Sequence, residues 1–191
     1  MSTKPILFST PMVQAILAGR KTMTRRVIKF PEGLTGSHQV GESGNPKNPL
    51  GLMWVCGIKR PKYQPGDILW VRETWVKGGS YFYKATDNGL FDENVKWRPS
   101  IHMPREAARI FLRVTGVRVE RVQDITPYDA WCEGCRIGNS FPWEEHIPEL
   151  QQQCRDIVFS DLWDNINAKR GYGWETNPWV WVYEFERVDE A

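Results

Sequence analysis

The stretch with the most chemistry per residue is Gly19-Arg20-Lys21-Thr22-Met23-Thr24-Arg25-Arg26. Lys21 and Thr24 are three residues apart, so one helical turn or a tight bend brings an amine and a hydroxyl to one side. A threonine hydroxyl is a poor nucleophile until a base takes its proton. A lysine serves as that base when desolvation and neighbouring cations lower its pKa. Arg20, Arg25 and Arg26 supply such a field, and they also suit an anion or a developing oxyanion. Five basic residues and no acid lie between Arg20 and Lys29, a patch able to hold phosphate. The plainer alternative is a basic loop at a helix end whose hydroxyl caps backbone groups.

Other residues can carry chemistry singly. Glu73 follows an apolar run and Arg72; it either hydrogen-bonds an exocyclic amine or forms an ion pair with Arg72 or another cation. Trp75 and Trp97 are rings that stack on a nucleobase or fill a core. His102 is a loop histidine suited to proton transfer or hydrogen bonding. Cys132-Glu133-Gly134-Cys135, with His146 and Cys154, has zinc-ligand residue types but lacks a second Cys-x-x-Cys, so we expect ordinary packing, no metal and no cofactor.

Several elements must position these groups. Residues 9–19 read as a helix, with Ser9 or Thr10 as cap, Pro11 in the first turn, Val13, Ile16 and Leu17 on one face, and Gly19 as stop. Between Pro31 and Gly66, seven glycines and five prolines indicate a long irregular excursion with a short strand near Leu52–Ile58. Ile68–Trp75 and Ser80–Ala85 are strand candidates. Ala108–Val122 is a third, broken at Gly116, with Ile110, Leu112 and Val114 before the break and Val117 and Val119 after it. Thr126-Pro127 opens a short helix that ends near Gly134. In Glu149–Asn167, Leu150, Cys154, Ile157, Val158, Leu162 and Ile166 mark a helical face. Trp179–Val188 alternates Trp179, Trp181, Tyr183 and Phe185 with smaller or acidic residues, the clearest strand of the chain.

Composition bounds the class. The 191 residues carry 25 Lys+Arg against 23 Asp+Glu, with 41% hydrophobic and 25% charged residues, which are globular values that disfavour disorder. The apolar runs fall short of the ~18 residues a membrane helix needs. Met1–Thr10 lacks an export-signal pattern, and four cysteines read as reduced thiols, so a cytoplasmic protein is expected. These features argue against a membrane protein, a disulfide mini-scaffold and a long coiled coil.

The segment around Lys21 resembles the signature of the ASCH superfamily, relatives of the PUA RNA-binding fold, written Gly-x-Lys-x-x-[Glu/Thr]-x-Arg. The matching positions are Gly19, Lys21, Thr24 and Arg26. The threonine version is similar to that of small bacterial N4-acetylcytidine amidohydrolases. Gly66-Asp67-Ile68-Leu69, Val114-Thr115, Thr126–Glu133 and Val182-Tyr183-Glu184-Phe185 match further blocks in order. Val71-Arg72-Glu73-Thr74-Trp75, Lys96-Trp97-Arg98-Pro99 and Asn177-Pro178-Trp179-Val180 look like phrases of the larger bacteriophage and prophage members.

The resemblance implies an α+β, mainly β fold. It would be a small PUA-like (ASCH) barrel with flanking helices, one domain over residues 1–191, with insertions at about 31–65, 78–106 and 136–178. It further implies Lys21 as base, Thr24 as nucleophile and Glu133 as proton shuttle, with Arg26 holding substrate phosphate or polarising the carbonyl; Glu73 and Trp75 are substrate-binding candidates by their own chemistry. The expected partner is a modified nucleoside or RNA, with no membrane and no obligatory protein partner. The expected reaction is metal-free removal of an N-acyl group from a modified cytosine such as N4-acetylcytidine. A non-catalytic RNA-binding module and, more weakly, a metal-independent ribonuclease are the alternatives.

Overall fold

A computed structural model describes residues 2–30, 60–92, 94–138 and 148–189. The fold is α+β and mainly β. Strands β1 (Thr3–Leu7), β2 (Met23–Val27), β3 (Ile68–Arg72), β6 (Phe111–Arg121) and β7 (Trp179–Val188) form a sheet in the order β1-β3-β6-β7-β2. Only the β1/β3 pair is parallel. Strands β4 (Trp75–Lys77) and β5 (Tyr81–Tyr83) make a separate hairpin. Helix α1 (Thr10–Leu17) links β1 to β2, and α2 (Pro127–Cys132) follows β6. Helix α3 (Pro148–Gln153), a π-helical stretch Cys154–Phe159 and α4 (Ser160–Asn167) precede β7.

Strand β7 organises the interior because its alternation faces both layers. Trp181, Tyr183 and Phe185 join Ile6, Phe8, Leu69, Val71, Leu112 and Val114 in one core. Val180 and Val182 face the opposite way, onto Val122, Ile125, Phe159 and Trp163 beneath the helices. In β6 the pairing register shifts between Val114 and Gly116, so Val117 and Val119 return to the core that holds Val114. A Cβ on Gly116 would lie 2.7 Å from Glu184 Oε2, so the end of that side chain would have to move.

Four expectations need correction or addition. The barrel is not closed: among the described residues β1 and β2 are the two sheet edges, with no ladder between them. A side chain spans the gap instead, Arg26 Nη2 donating to the Leu7 carbonyl at 3.1 Å. The expected strand Ile68–Trp75 is two strands, because Glu73 leaves the ladder to bond Met103 Sδ through its N–H and Arg109 through its carboxylate. Strand β1 contains Pro5 and Lys4, tolerable at an edge but not a strand signature, and β2 hides among its charges. In the long helical region Cys154 is buried as expected, yet Ile157 and Ile166 are exposed while Phe159 and Trp163 are buried. The π-helical stretch adds a residue to the turn after Cys154, so the buried set runs 154, 159, 163, 167. The strand anticipated near Leu52–Ile58 lies outside the described residues.

Ser9 stands at the N-cap position of α1 with Pro11 in the first turn, but its side chain makes no capping hydrogen bond; the Thr126 hydroxyl does cap α2, accepting from the Asp129 N–H at 3.0 Å. No helix among the described residues is long and apolar enough to cross a membrane.

One polar cluster ties β1 to the turn before β3 and makes stability pH-dependent. Asp67 accepts from Lys4 Nζ at 2.6 Å, Ser2 Oγ at 2.6 Å and the Gln64 N–H at 2.8 Å. Burial opposes ionisation, but these bonds outweigh it and hold the carboxyl down to about 2 from 3.8. A depressed folded-state pKa means the stabilisation is complete above the unfolded value and disappears as pH falls through the folded one. Asp67→Asn is therefore expected to cost about 2 kcal/mol near neutrality. The difference from wild type should vanish as pH is lowered from 3.8 towards 2, read from urea midpoints.

Candidate active site

Lys21 is placed by the end of α1. After Gly19 (φ 69°) the chain folds back so that the Arg20 and Lys21 N–H groups both donate to the Ala15 carbonyl, at 2.8 and 3.1 Å. The Thr22 N–H then donates to the Cys132 carbonyl at 2.9 Å, pinning this loop to the end of α2. Lys21 and Thr24 are thus not on one helical turn: Lys21 is in the loop and Thr24 is on β2, opposite Tyr183 of β7.

The Lys21 side chain is wholly buried, and its Nζ donates to Glu133 Oε2 at 2.5 Å and to the Glu133 carbonyl at 2.9 Å. The exposed backbone carbonyls at the end of α2 favour a cation there. Glu133 is also buried, and its Oε1 accepts from Arg25 Nη1 at 3.2 Å. Burial pulls the Lys21 ammonium below the ordinary lysine range, more than the Glu133 carboxylate restores. Burial pushes Glu133 the other way, but Lys21 and Arg25 outweigh it and keep its carboxyl low.

Gly134 makes this approach possible. Its φ is +96°, and a Cβ there would lie 3.0 Å from Ala15 Cβ and 3.5 Å from Lys21 Cβ. Gly134→Ala is expected to destabilise the chain by roughly 1–3 kcal/mol, combining an unfavourable backbone region with a contact against Ala15. Thermal melts check it, and a wild-type melting temperature would show that the loop yields.

Alternation along β2 separates its charges. Arg25 points with Met23 to the helical layer, where its guanidinium lies 5.8 Å from the Phe159 ring centroid. Arg26 lies on the other face, 5.4 Å from the Phe8 ring centroid, and Lys21 Nζ is 5.7 Å from the same ring. The pleat gives Thr24 the face of Arg26. Thr24 is buried.

The other candidates sit elsewhere. Glu73 is buried with both carboxylate oxygens held by Arg109, from Nε at 2.9 Å and Nη2 at 2.9 Å. Its partner is thus Arg109 rather than Arg72. Trp75 is buried with Met103 and Ala107, 5.6 Å from the Tyr81 ring centroid, and its indole N–H has no partner among the described residues. Backbone connects this region to the Lys21 site, since the Phe8 N–H donates to the Arg72 carbonyl beside Glu73. Trp97 is half-buried against Phe91, and His102 is exposed. Cys132, Cys135 and Cys154 are free and buried, and burial drives the Cys135 thiol up to about 12. Among the described residues no group of three or more His, Cys, Asp or Glu is placed to hold a metal ion. His146 lies outside them.

Sequence reasoning missed the charge network behind Glu133. Arg25 donates to Glu120 Oε1 at 2.6 and 2.8 Å and to Asp129 Oδ2 at 2.7 Å. Arg118 bonds the same two carboxylates, at 3.1 and 2.5 Å, and also Glu184. A signal existed: Asp129 and Glu133 are four apart, the spacing of one helix face, and a buried acid pair requires cations.

Neither a protein-family model nor a curated protein sequence matches the chain. Solved structures do. An ASCH domain from Lactobacillus crispatus JV V101 is similar over 99% of this chain and 81% of its own, with 11% identity and a TM-score of 0.44. A DUF984 protein from Enterococcus faecalis V583 is similar over 99% and 77%, with 13% identity and a TM-score of 0.40. A hypothetical protein is similar over 98% of this chain and 100% of its own, with 13% identity and a TM-score of 0.36.

Proposed function

We propose that the chain is an ASCH-type, PUA-like protein, one domain with insertions, that binds a nucleobase and hydrolyses the N-acyl amide of a modified cytosine such as N4-acetylcytidine. The observation that carries the reading is the pairing of Lys21 and Glu133, 112 residues apart in sequence, as a buried contact of 2.5 Å beside the strand that bears Thr24.

The chemistry balances as follows. Neutral Lys21 takes the Thr24 hydroxyl proton as the oxygen attacks the acyl carbonyl, and Arg26 faces the resulting oxyanion. Glu133 relays that proton from Lys21 to the departing N4 amine, and the C–N bond breaks. Water then hydrolyses the acyl-threonine, returning the hydroxyl. In a variant of the same reaction, Thr24 positions the water that attacks directly. Because Lys21 must shed a proton to act, the rate should rise with pH through a lysine titration below the ordinary ~10.4. Pure protein is incubated with N4-acetylcytidine and cytidine is quantified. Turnover abolished in Thr24→Ala supports the nucleophile, and unchanged turnover in both Thr24→Ala and Lys21→Ala rejects both roles.

One observation favours a second reading, a non-catalytic RNA-binding module. Both Glu133 oxygens are already occupied, by Lys21 and Arg25, a closed arrangement that suits a structural pair. RNA affinity would then fall steeply with salt, without cytidine release.

A further inference from the structure

Arg25 is not among the residues that the reaction above employs, yet it is the most heavily bonded side chain beside them. Its guanidinium is fully buried and touches three carboxylates: Glu133, Glu120 and Asp129. They come from three places, the end of α2, β6 and the first turn of α2. Arg118 closes the arrangement from the solvent side by bonding Glu120 and Asp129. A planar fork is the group that can satisfy several carboxylates in fixed directions at once; a lysine ammonium is a compact point charge.

We propose that Arg25 is a positioning residue for the Lys21–Glu133 pair, its guanidinium holding Glu133 Oε1 so that Oε2 is aimed at Lys21 Nζ. The proposal rests on the enzymatic reading for its consequence in catalysis, but its physical content stands without turnover. The clamp is rigid because Glu120 and Asp129 fix Arg25 in turn, so the carboxylate cannot swing away when Lys21 loses its proton. Arg25 also offsets part of the Glu133 charge, so less of it is left to hold a proton on Lys21.

Among the described residues, charged and titratable groups face the pair and its clamp from several elements. Arg25 and Arg26 come from β2, Glu120 and Arg118 from β6, Asp129 from α2, and Cys135 from the turn after it. The thiol stays neutral, being pushed up to about 12. Removing the Arg25 guanidinium releases Glu133 Oε1 and leaves the Glu133 charge to Lys21 and Arg26, which shifts the balance towards a retained proton on Lys21.

The experiment is an NMR titration of the Lys21 side chain in ¹³C-lysine-labelled protein, assigned with Lys21→Met. In Arg25→Gln the Lys21 titration should move up by about one pH unit, and in Arg25→Lys it should return most of the way to wild type. An unmoved titration in folded Arg25→Gln overturns the proposal. Should Arg25→Gln fail to fold, Glu120→Gln keeps the guanidinium but removes one anion that compensates it. Lys21 should then titrate lower than in wild type, and an unchanged value overturns the proposal equally. With N4-acetylcytidine as substrate, Arg25→Lys separates aim from charge: kcat should fall about tenfold or more with KM little changed, because the field survives and the fork does not. Absence of turnover in wild type would reject the enzymatic reading while the titration still decides on the clamp.

Discussion

Replacing Arg25 by methionine is expected to destabilise the folded chain by about 3–5 kcal/mol, the largest single-residue effect on stability that the network offers. Methionine keeps an unbranched apolar chain of comparable length while removing the guanidinium that lies over Phe159. Taking it away leaves Glu133, Glu120 and Asp129 facing one another with Lys21 and Arg118 as the remaining partners. Those carboxylates must then either stay charged at close quarters or bind protons as the chain folds. The second route gives a diagnostic sign: proton uptake on folding makes the variant relatively less stable as pH rises, a trend opposite to that of the Asp67 cluster. Urea denaturation across pH measures both. A loss below about 1 kcal/mol would mean that water or rearranged side chains replace the guanidinium, and that the network is far more exposed than its burial indicates.

Lys21→Met is expected to lower hydrolysis of N4-acetylcytidine by about 10²–10⁴-fold, the range that a positioned acid–base group supplies. Methionine fills a comparable length but neither accepts the threonine proton nor donates to Glu133. The residual rate should lose the alkaline rise assigned to the amine, which separates a lost base from general damage. Because Glu133 keeps Arg25 as a partner in this variant, folding should survive better than in Arg25→Met. Circular dichroism before the assay establishes that. An activity within threefold of wild type would remove Lys21 from the chemistry, whatever its geometry.

How much of this was legible beforehand depends on the kind of force at each position. The strand Trp179–Val188 was plain because alternation with period two is a local pattern, and both of its faces are apolar enough to show it. The break at Gly116, the helix start at Ser9-Thr10-Pro11 and the capped start at Thr126 were equally local. Strands β1 and β2 were not, since edge strands with lysine, proline and arginine carry no alternating signal and acquire their conformation from the neighbours they pair with. The helical region containing Cys154 shows the limit from another side. An ideal 3.6 period pointed to Ile157 and Ile166, and one π-helical turn moved the buried face to Phe159 and Trp163.

The sequence by itself determined the inventory: an amine, a hydroxyl and several guanidiniums crowded between Gly19 and Arg26, and the elements able to carry them. It also placed Glu133 at the end of a short helix, though singling it out took the resemblance to a known family. Tertiary structure alone decided the partnerships. It sent Glu73 to Arg109, enclosed Lys21 with Glu133, and turned Arg25 inward to three carboxylates while Arg26 spans the open edge of the sheet. The physical reason is that composition reports charge, whereas burial decides which opposite charge must answer it, and burial is a property of the packed whole.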